Sequence, residues 1–319
     1  MIKLRTNQIN NWIFVTGLIR SGTTFVGKIL SLPLQVDYIH EPFSCYVGMP
    51  GMTKVNPYVR PSLDTEEMQH FDVLTQSIFN YDLTLPNIIP SKDALSRRIL
   101  KHIVGSRGPF YLRLAKLNAF HKAAVIKDPM GKLLSEYLYL RFNVKPVIVI
   151  KHPTSYIASL KRVNWWPDLS TLAVQPELVR DYFTDEVDFL NQNFDNCILE
   201  AAAVWRAMYK VLLSQANKYS DWQIITHEEL CTSPVTVFKE IYHRCELPWS
   251  KSIENKIIRL TQSKSTEAKK GLVQDFNRNS ADIFKMRRDS LSLKERRQIF
   301  DIVQDVALQI YPRESFDIN

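Results

Sequence analysis

The stretch from Trp12 to about Leu32 constrains this chain more than any other. The apolar run Trp12-Ile-Phe-Val-Thr16 is followed at once by Gly17-Leu-Ile-Arg-Ser-Gly22, and Thr23-Thr24 then opens a helical pattern. A buried strand, a glycine-bounded loop and a helix form the first half of a βαβ unit. The chain has nine glycines in 319 residues, fewer than half the average near 7%. Three of the nine are Gly17, Gly22 and Gly27, so their placement carries information. Glycines let the backbone turn tightly and aim N–H groups at an anion, and a helix N-terminus adds positive potential. Ser21, Thr23 and Thr24 supply hydroxyl donors, and Arg20 supplies a cation with a fork of donors.

The remainder alternates between the same two element types. Tyr38-Ile39 reads as a second strand ending at His40-Glu41-Pro42. Residues 44–62, with Gly48, Pro50, Gly51, Pro57 and Pro61, read as a long loop over the site. Residues 64–102 are mostly helical, broken around Leu85-Pro86 and Ile89-Pro90. Ala123–Ile126 is strand-like, and Leu133, Leu134, Tyr137, Leu138 and Leu140 mark a helix. Pro146–Ile150 is a buried-strand signal of the kind parallel sheets use, residues 164–196 look like an insertion, and a long helix covers about 198–218. Trp222–Ile225 is a further strand, and Pro234 starts a helix with the stripe Val235, Phe238, Ile241, Tyr242 and Cys245. The expected fold class is α/β, a central and mainly parallel sheet with helices on both faces. Residues 1–319 read as a single domain with insertions near 44–102 and 164–196.

Several classes are disfavoured. A Walker A loop reads G-x-x-x-x-G-K-[ST]; here the glycine spacing fits, but Thr23 stands in place of the lysine. The strand Val147–Ile150 ends in Lys151-His152-Pro153, and no apolar strand is expected to end in a magnesium-binding Asp. G-x-G-x-x-G is absent. Cys45, Cys197, Cys231 and Cys245 are scattered, which argues against zinc or a disulfide framework. No apolar run approaches the roughly 18–20 residues that span a bilayer. Lys3 and Arg5 precede the first apolar run, but that run is short and lacks a cleavage site; the expectation is a cytoplasmic protein with no membrane and no nucleic-acid partner. The formal net charge of +8 favours anionic ligands without choosing among them.

The run Arg20-Ser21-Gly22-Thr23-Thr24 after a first strand resembles the 5′-phosphosulfate loop of the PAPS-dependent sulfotransferases, in the form seen in their carbohydrate, tyrosylprotein and bacterial branches. A second element of that family, which binds the 3′-phosphate, is a basic residue at a strand end with a serine eight positions later. Lys151 and Ser159 have that spacing, and Pro153 matches the basic-x-Pro run. The family normally has Arg where Lys151 stands, so a point charge replaces a bidentate fork. The resemblance implies a P-loop NTPase-like fold. It also implies PAPS as donor and PAP as product, with no metal required. Arg20, Ser21, Gly22, Thr23, Thr24, Lys151 and Ser159 would bind the nucleotide.

The same resemblance makes Glu41 the base that takes the proton from an acceptor hydroxyl. His40 is the rival, and since neighbours on a strand point to opposite sides, only one should face the acceptor. Lys127, at the end of another strand, either contacts the sulfonate or acceptor or pairs structurally with Asp128. Trp165-Trp166 could stack on an acceptor ring or on adenine, or simply pack. Thr226-His-Glu-Glu-Leu230 resembles a scaffold segment of the family. A basic loop before the last helix closes over the 3′-phosphate in relatives; Arg278 and Ser280, or Lys269-Lys270-Gly271, would do so here. The resulting expectation is sulfuryl transfer from PAPS to a carbohydrate or small-molecule hydroxyl. The alternatives are a magnesium-dependent P-loop kinase and a non-enzymatic polyanion-binding protein.

Overall fold

A computed structural model describes residues 9–62, 65–91, 93–261 and 290–318. Five strands form one parallel sheet in the order β2-β3-β1-β4-β5: β1 (Asn11–Thr16), β2 (Val36–His40), β3 (Ala123–Lys127), β4 (Lys145–Ile150) and β5 (Gln223–Thr226). β1, β2, β3 and β4 are buried nearly throughout; β1, β3 and β4 accordingly read as apolar runs, whereas β2 buries Asp37 and His40 between its apolar residues. The fold class is α/β, as expected from the sequence.

The described residues fall into two compact units, and β4 passes from one to the other between Val147 and Ile148. The first unit takes the chain up to Gly17, then Thr23–Val147 and Cys245–Leu247. Its helices are α1 (Thr23–Leu30), α2 (Glu66–Phe79), α3 (Leu95–Val104), α4 (Arg107–Leu117) and α5 (Ser135–Phe142). β3 pairs with β1 from Asn11↔Ala123 to Val15↔Lys127, and with β2 from Val36↔Ala123 to His40↔Lys127. Val15, Lys127 and His40 therefore lie in one row at the carboxyl ends of three strands, where such sheets take their ligands. Trp12, Phe14, Ile39, Phe43, Phe71 and Tyr137 belong to the core beneath them. α1 stops at Leu30 rather than at Leu32, because the residue before Pro33 is biased away from helix.

α1 lies close against the sheet because of Gly27. A Cβ there would come within 3.0 Å of both Lys127 Cβ and Tyr38 Cε2. The 44–62 segment has neither helix nor strand but packs on the core through Met49, Met52 and Val59. α4 lies where no helix was expected. Gly105, Gly108 and Pro109 hide it in the sequence, yet Pro109 falls in its first turn, where no intrahelical N–H is required.

The second unit comprises Leu18–Gly22, Ile148–Arg244 and the described residues from Pro248 onward. α6 (Pro153–Val163) starts on Pro153 and ends with Asn164 in the left-handed conformation. The 164–196 insertion holds three short helices, α7 (Ser170–Ala173), α8 (Pro176–Tyr182) and α9 (Val187–Leu190). α10 (Cys197–Ala216) is capped by Asn196, whose side chain accepts from the N–H groups of Ile198 and Leu199. α11 (His227–Thr232), α12 (Pro234–Arg244), α13 (Lys251–Thr261) and α14 (Leu293–Ala307) complete the unit. α10 packs on α6 and α14.

Candidate functional site

In the second unit the loop residues Leu18–Gly22 are held from below by Tyr209 of α10, which sequence reasoning missed. The Tyr209 hydroxyl donates to Val149 O at 3.0 Å and accepts from Leu18 N–H at 3.3 Å. Its one proton being engaged, its 3.3 Å contact with Ser21 Oγ makes Ser21 the donor. The hydroxyl of fully buried Ser21 is thus turned toward the scaffold. A second turn bond joins Ser21 N–H to Leu18 O at 3.1 Å. A lone long helix gives no sequence signal that one of its tyrosines anchors a loop.

The backbone is left-handed at Arg20 (φ 71°) and Gly22 (φ 101°). For arginine this is an uncommon conformation that the surroundings must enforce. A Cβ on Gly22 would sit 3.1 Å from His227 Cδ2, so the start of α11 closes that side of the loop. α11 itself begins with a capping box between Thr226 and Glu229, consistent with the scaffold reading of Thr226–Leu230.

Arg20, Lys151 and Ser159 come together here. Arg20 Nε donates to Ser159 Oγ at 3.3 Å, and Lys151 Nζ donates to Arg20 O at 3.4 Å. The Arg20 guanidinium also lies 5.8 Å from the centroid of the Trp165 ring. Burial and, after it, the charge of Arg162 bring Arg20 down to about 10, so it stays cationic at neutral pH. Lys151 is buried, and Trp205 Nε1 fixes its carbonyl at 2.9 Å. Glu228 lies nearby, receiving Tyr311 O–H at 2.8 Å and His152 N–H at 3.3 Å. Burial raises its pKa despite those bonds and the charge of Lys151.

In the first unit the row at the strand ends carries a second group. Glu41 N–H continues the ladder to Lys127 O at 2.8 Å, and Asp128 N–H does the same to Val15 O at 3.1 Å. Glu41 takes φ 52°, so it has left the strand. The alternation that would separate His40 from Glu41 therefore does not apply, and His40 Nε2 lies 3.8 Å from Glu41 Oε1. The Lys127 ammonium is buried and donates to Glu41 Oε1, while Glu41 keeps 21% of its side-chain surface. Burial acts to raise the Glu41 pKa, but the charge of Lys127 and its hydrogen bond outweigh it and hold the carboxyl below its ordinary value. His40 is pushed down to about 3 by burial first and by Lys127 second. It is neutral, with Nδ1 against Tyr38 Oη at 2.9 Å. Lys127 thus pairs with Glu41, not with Asp128 as one reading had it.

Asp128 follows β3 directly and so stands beside β1, at the strand end where the sequence places it. Its carboxylate is fully buried and engaged by backbone: Phe43 N–H at 2.6 Å to Oδ2, and Met130 and Gly131 N–H at 2.8 and 3.1 Å to Oδ1. Burial and the charge of Glu41 push it up to about 7 against those donors. Thr23 and Thr24 open α1 and are buried. Arg278, Ser280 and Lys269-Lys270-Gly271 lie outside the described residues, as do Lys3 and Arg5. Among the described residues, no group of three or more His, Cys, Asp or Glu could hold a metal ion, and no helix is long and apolar enough to cross a membrane.

No protein-family model matches the chain, and no curated protein matches it in sequence. Solved sulfotransferase structures align with it at low identity. The sulfotransferase domain from the curacin biosynthetic pathway is 13% identical, with a TM-score of 0.45, over 92% of this chain and 97% of its own. The sulfotransferase domain from the Synechococcus PCC 7002 olefin synthase is 11% identical, TM-score 0.45, over 94% and 95%. Mouse sulfotransferase SULT7A1, solved with PAP, is 10% identical, TM-score 0.40, over 96% and 88%.

Proposed function

We propose that this chain is a sulfotransferase moving the sulfuryl group of PAPS to the hydroxyl of a carbohydrate or small molecule. The observation that carries this reading is the convergence of Arg20, Lys151 and Ser159. These are residues that the sequence resemblance assigned independently to two different phosphates of one nucleotide.

In this reading the acceptor oxygen bonds to sulfur as the bond from sulfur to the bridging oxygen of the phosphosulfate breaks. Arg20 opposes the negative charge that builds on the bridging oxygen, and a partly buried cation does this more effectively than one in water. The N–H groups of the glycine-bounded loop and the start of α1 add to that field. Lys151 and Ser159 hold the 3′-phosphate. Glu41, ionised at neutral pH, takes the hydroxyl proton. Lys127 keeps Glu41 ionised and oriented, and when drawn toward an incoming sulfonate it would return proton affinity to the carboxylate. His40, neutral and bonded to Tyr38, is the poorer base.

The test is release of PAP from PAPS in the presence of a panel of sugars, phenols and aliphatic alcohols. Acceptor-dependent release that is lost in Arg20→Ala supports the assignment. Acceptor-dependent release retained by Arg20→Ala contradicts its role, and no release with any class of hydroxyl overturns the reading.

A further inference from the structure

The chain carries a second feature that the proposed reaction does not use. α3 has no buried residue at all. Its apolar side chains Leu95, Ile99, Leu100 and Ile103 occupy one half of the helical circumference at 100° per residue. Arg97, Arg98, Lys101 and His102 occupy the other half. Leu95 and Ile103 are each 70% exposed. The next helix, tied to α3 by Arg113 Nη1 donating to Val104 O at 3.3 Å, leaves Leu114 and Leu117 exposed as well. Phe120 just beyond it is 72% exposed.

Charge distinguishes this region further. From Ala94 to Lys127 there is no Asp or Glu, while Arg97, Arg98, Lys101, Arg107, Arg113, Lys116, Lys122 and Lys127 give eight positive charges. That equals the formal net charge of the whole chain, +8. Lys127 is engaged with Glu41, and Lys101 and Arg97 both pair with Asp93, at 2.5 and 4.0 Å; the remainder of the set still makes the segment basic.

We propose that α3 and the exposed end of α4 dock on an anionic lipid surface, α3 lying in the plane of the headgroups. A polyanion such as RNA or a sulfated glycan would satisfy the basic residues but leave the leucines and isoleucines in water. A bilayer supplies phosphates and hydrocarbon at the same depth, which is what a basic amphipathic helix with a wholly exposed apolar side fits. The helix lies on the membrane and does not cross it, and the inference is independent of the proposed reaction. It revises the expectation that the chain has no membrane partner.

The experiment is co-sedimentation of the full chain with phosphatidylcholine vesicles, alone or mixed with phosphatidylserine, at low and high salt. Binding to the mixed vesicles only, weakened by salt, is expected. Arg98→Gln combined with Lys116→Gln should weaken it about 25-fold, each basic residue contributing about fivefold. Ile99→Ser combined with Ile103→Ser should weaken it by about tenfold for each isoleucine. Both pairs are on the surface, and unchanged thermal melting verifies the fold. Absence of binding to the mixed vesicles overturns the proposal. Binding that survives the isoleucine changes and is competed by heparin overturns it in favour of a polyanion surface. A dimer abolished by those same changes, without vesicle binding, overturns it in favour of a second copy of the chain.

Discussion

Glu41 and Lys127 form an ion pair at the carboxyl ends of β2 and β3. Lys127 is buried and its charge is met by a carboxylate that retains access to solvent. Glu41→Gln keeps an acceptor for the lysine but removes the charge. Transfer should fall by about 10²–10⁴, the usual contribution of a positioned base, with PAP affinity little changed in a titration. The same change should cost about 1–3 kcal/mol of stability, as for a buried charged donor that loses its partner's charge. The pH dependence follows from the sign of the shift. The folded Glu41 pKa lies below its ordinary 4.5, so the stabilisation is complete above that pH and disappears as pH falls through the folded value. The difference in melting temperature between wild type and Glu41→Gln should therefore be flat near neutrality and shrink in acid below 4.5; a difference that grows in acid would contradict the assignment. Asp128 is a contrasting case. Asp128→Ala strands three N–H groups at about 1–3 kcal/mol each, and chemical denaturation should show the largest stability loss of any change at the strand ends.

At the scale of elements, a strained loop is held in shape by a helix distant in sequence. Tyr209→Phe removes the acceptor for Leu18 N–H and Ser21 O–H and leaves Val149 O without its donor. Calorimetry should show weaker PAP binding together with a lower melting temperature. Gly22→Ala puts an L residue at φ 101° and a methyl against His227, so it should cost about 1–2 kcal/mol and lower PAP affinity; an unchanged affinity would mean the loop geometry does not matter for the ligand. These elements differ in how far sequence revealed them. β1, the loop and the start of α1 were legible because an apolar run, two glycines and paired threonines each have a local cause. That Lys151 and Ser159 lie near Arg20 was anticipated through the family resemblance of their spacing. Tyr209 was not, because its role depends on where β4 and the loop lie in space. α4 was obscured by Gly105, Gly108 and Pro109, and the proximity of His40 to Glu41 depends on a left-handed φ that no spacing rule gives.

For the molecule as a whole, the proposed function requires a nucleotide site that works through cations and backbone donors. A ligand that binds only the folded chain raises its stability by mass action, about 2.7 kcal/mol at a hundredfold excess over Kd. Asp128 beside β1 makes a metal-dependent kinase the informative competitor, although its oxygens are engaged by three backbone N–H groups. The most direct measurement is therefore thermal unfolding with PAP and a chelator, set beside ATP with magnesium at matched concentration and low salt. The melting temperature should rise clearly with PAP, unaffected by the chelator, and the rise should be abolished by Arg20→Ala. A rise with magnesium-ATP alone, or none with PAP, would contradict the proposed function.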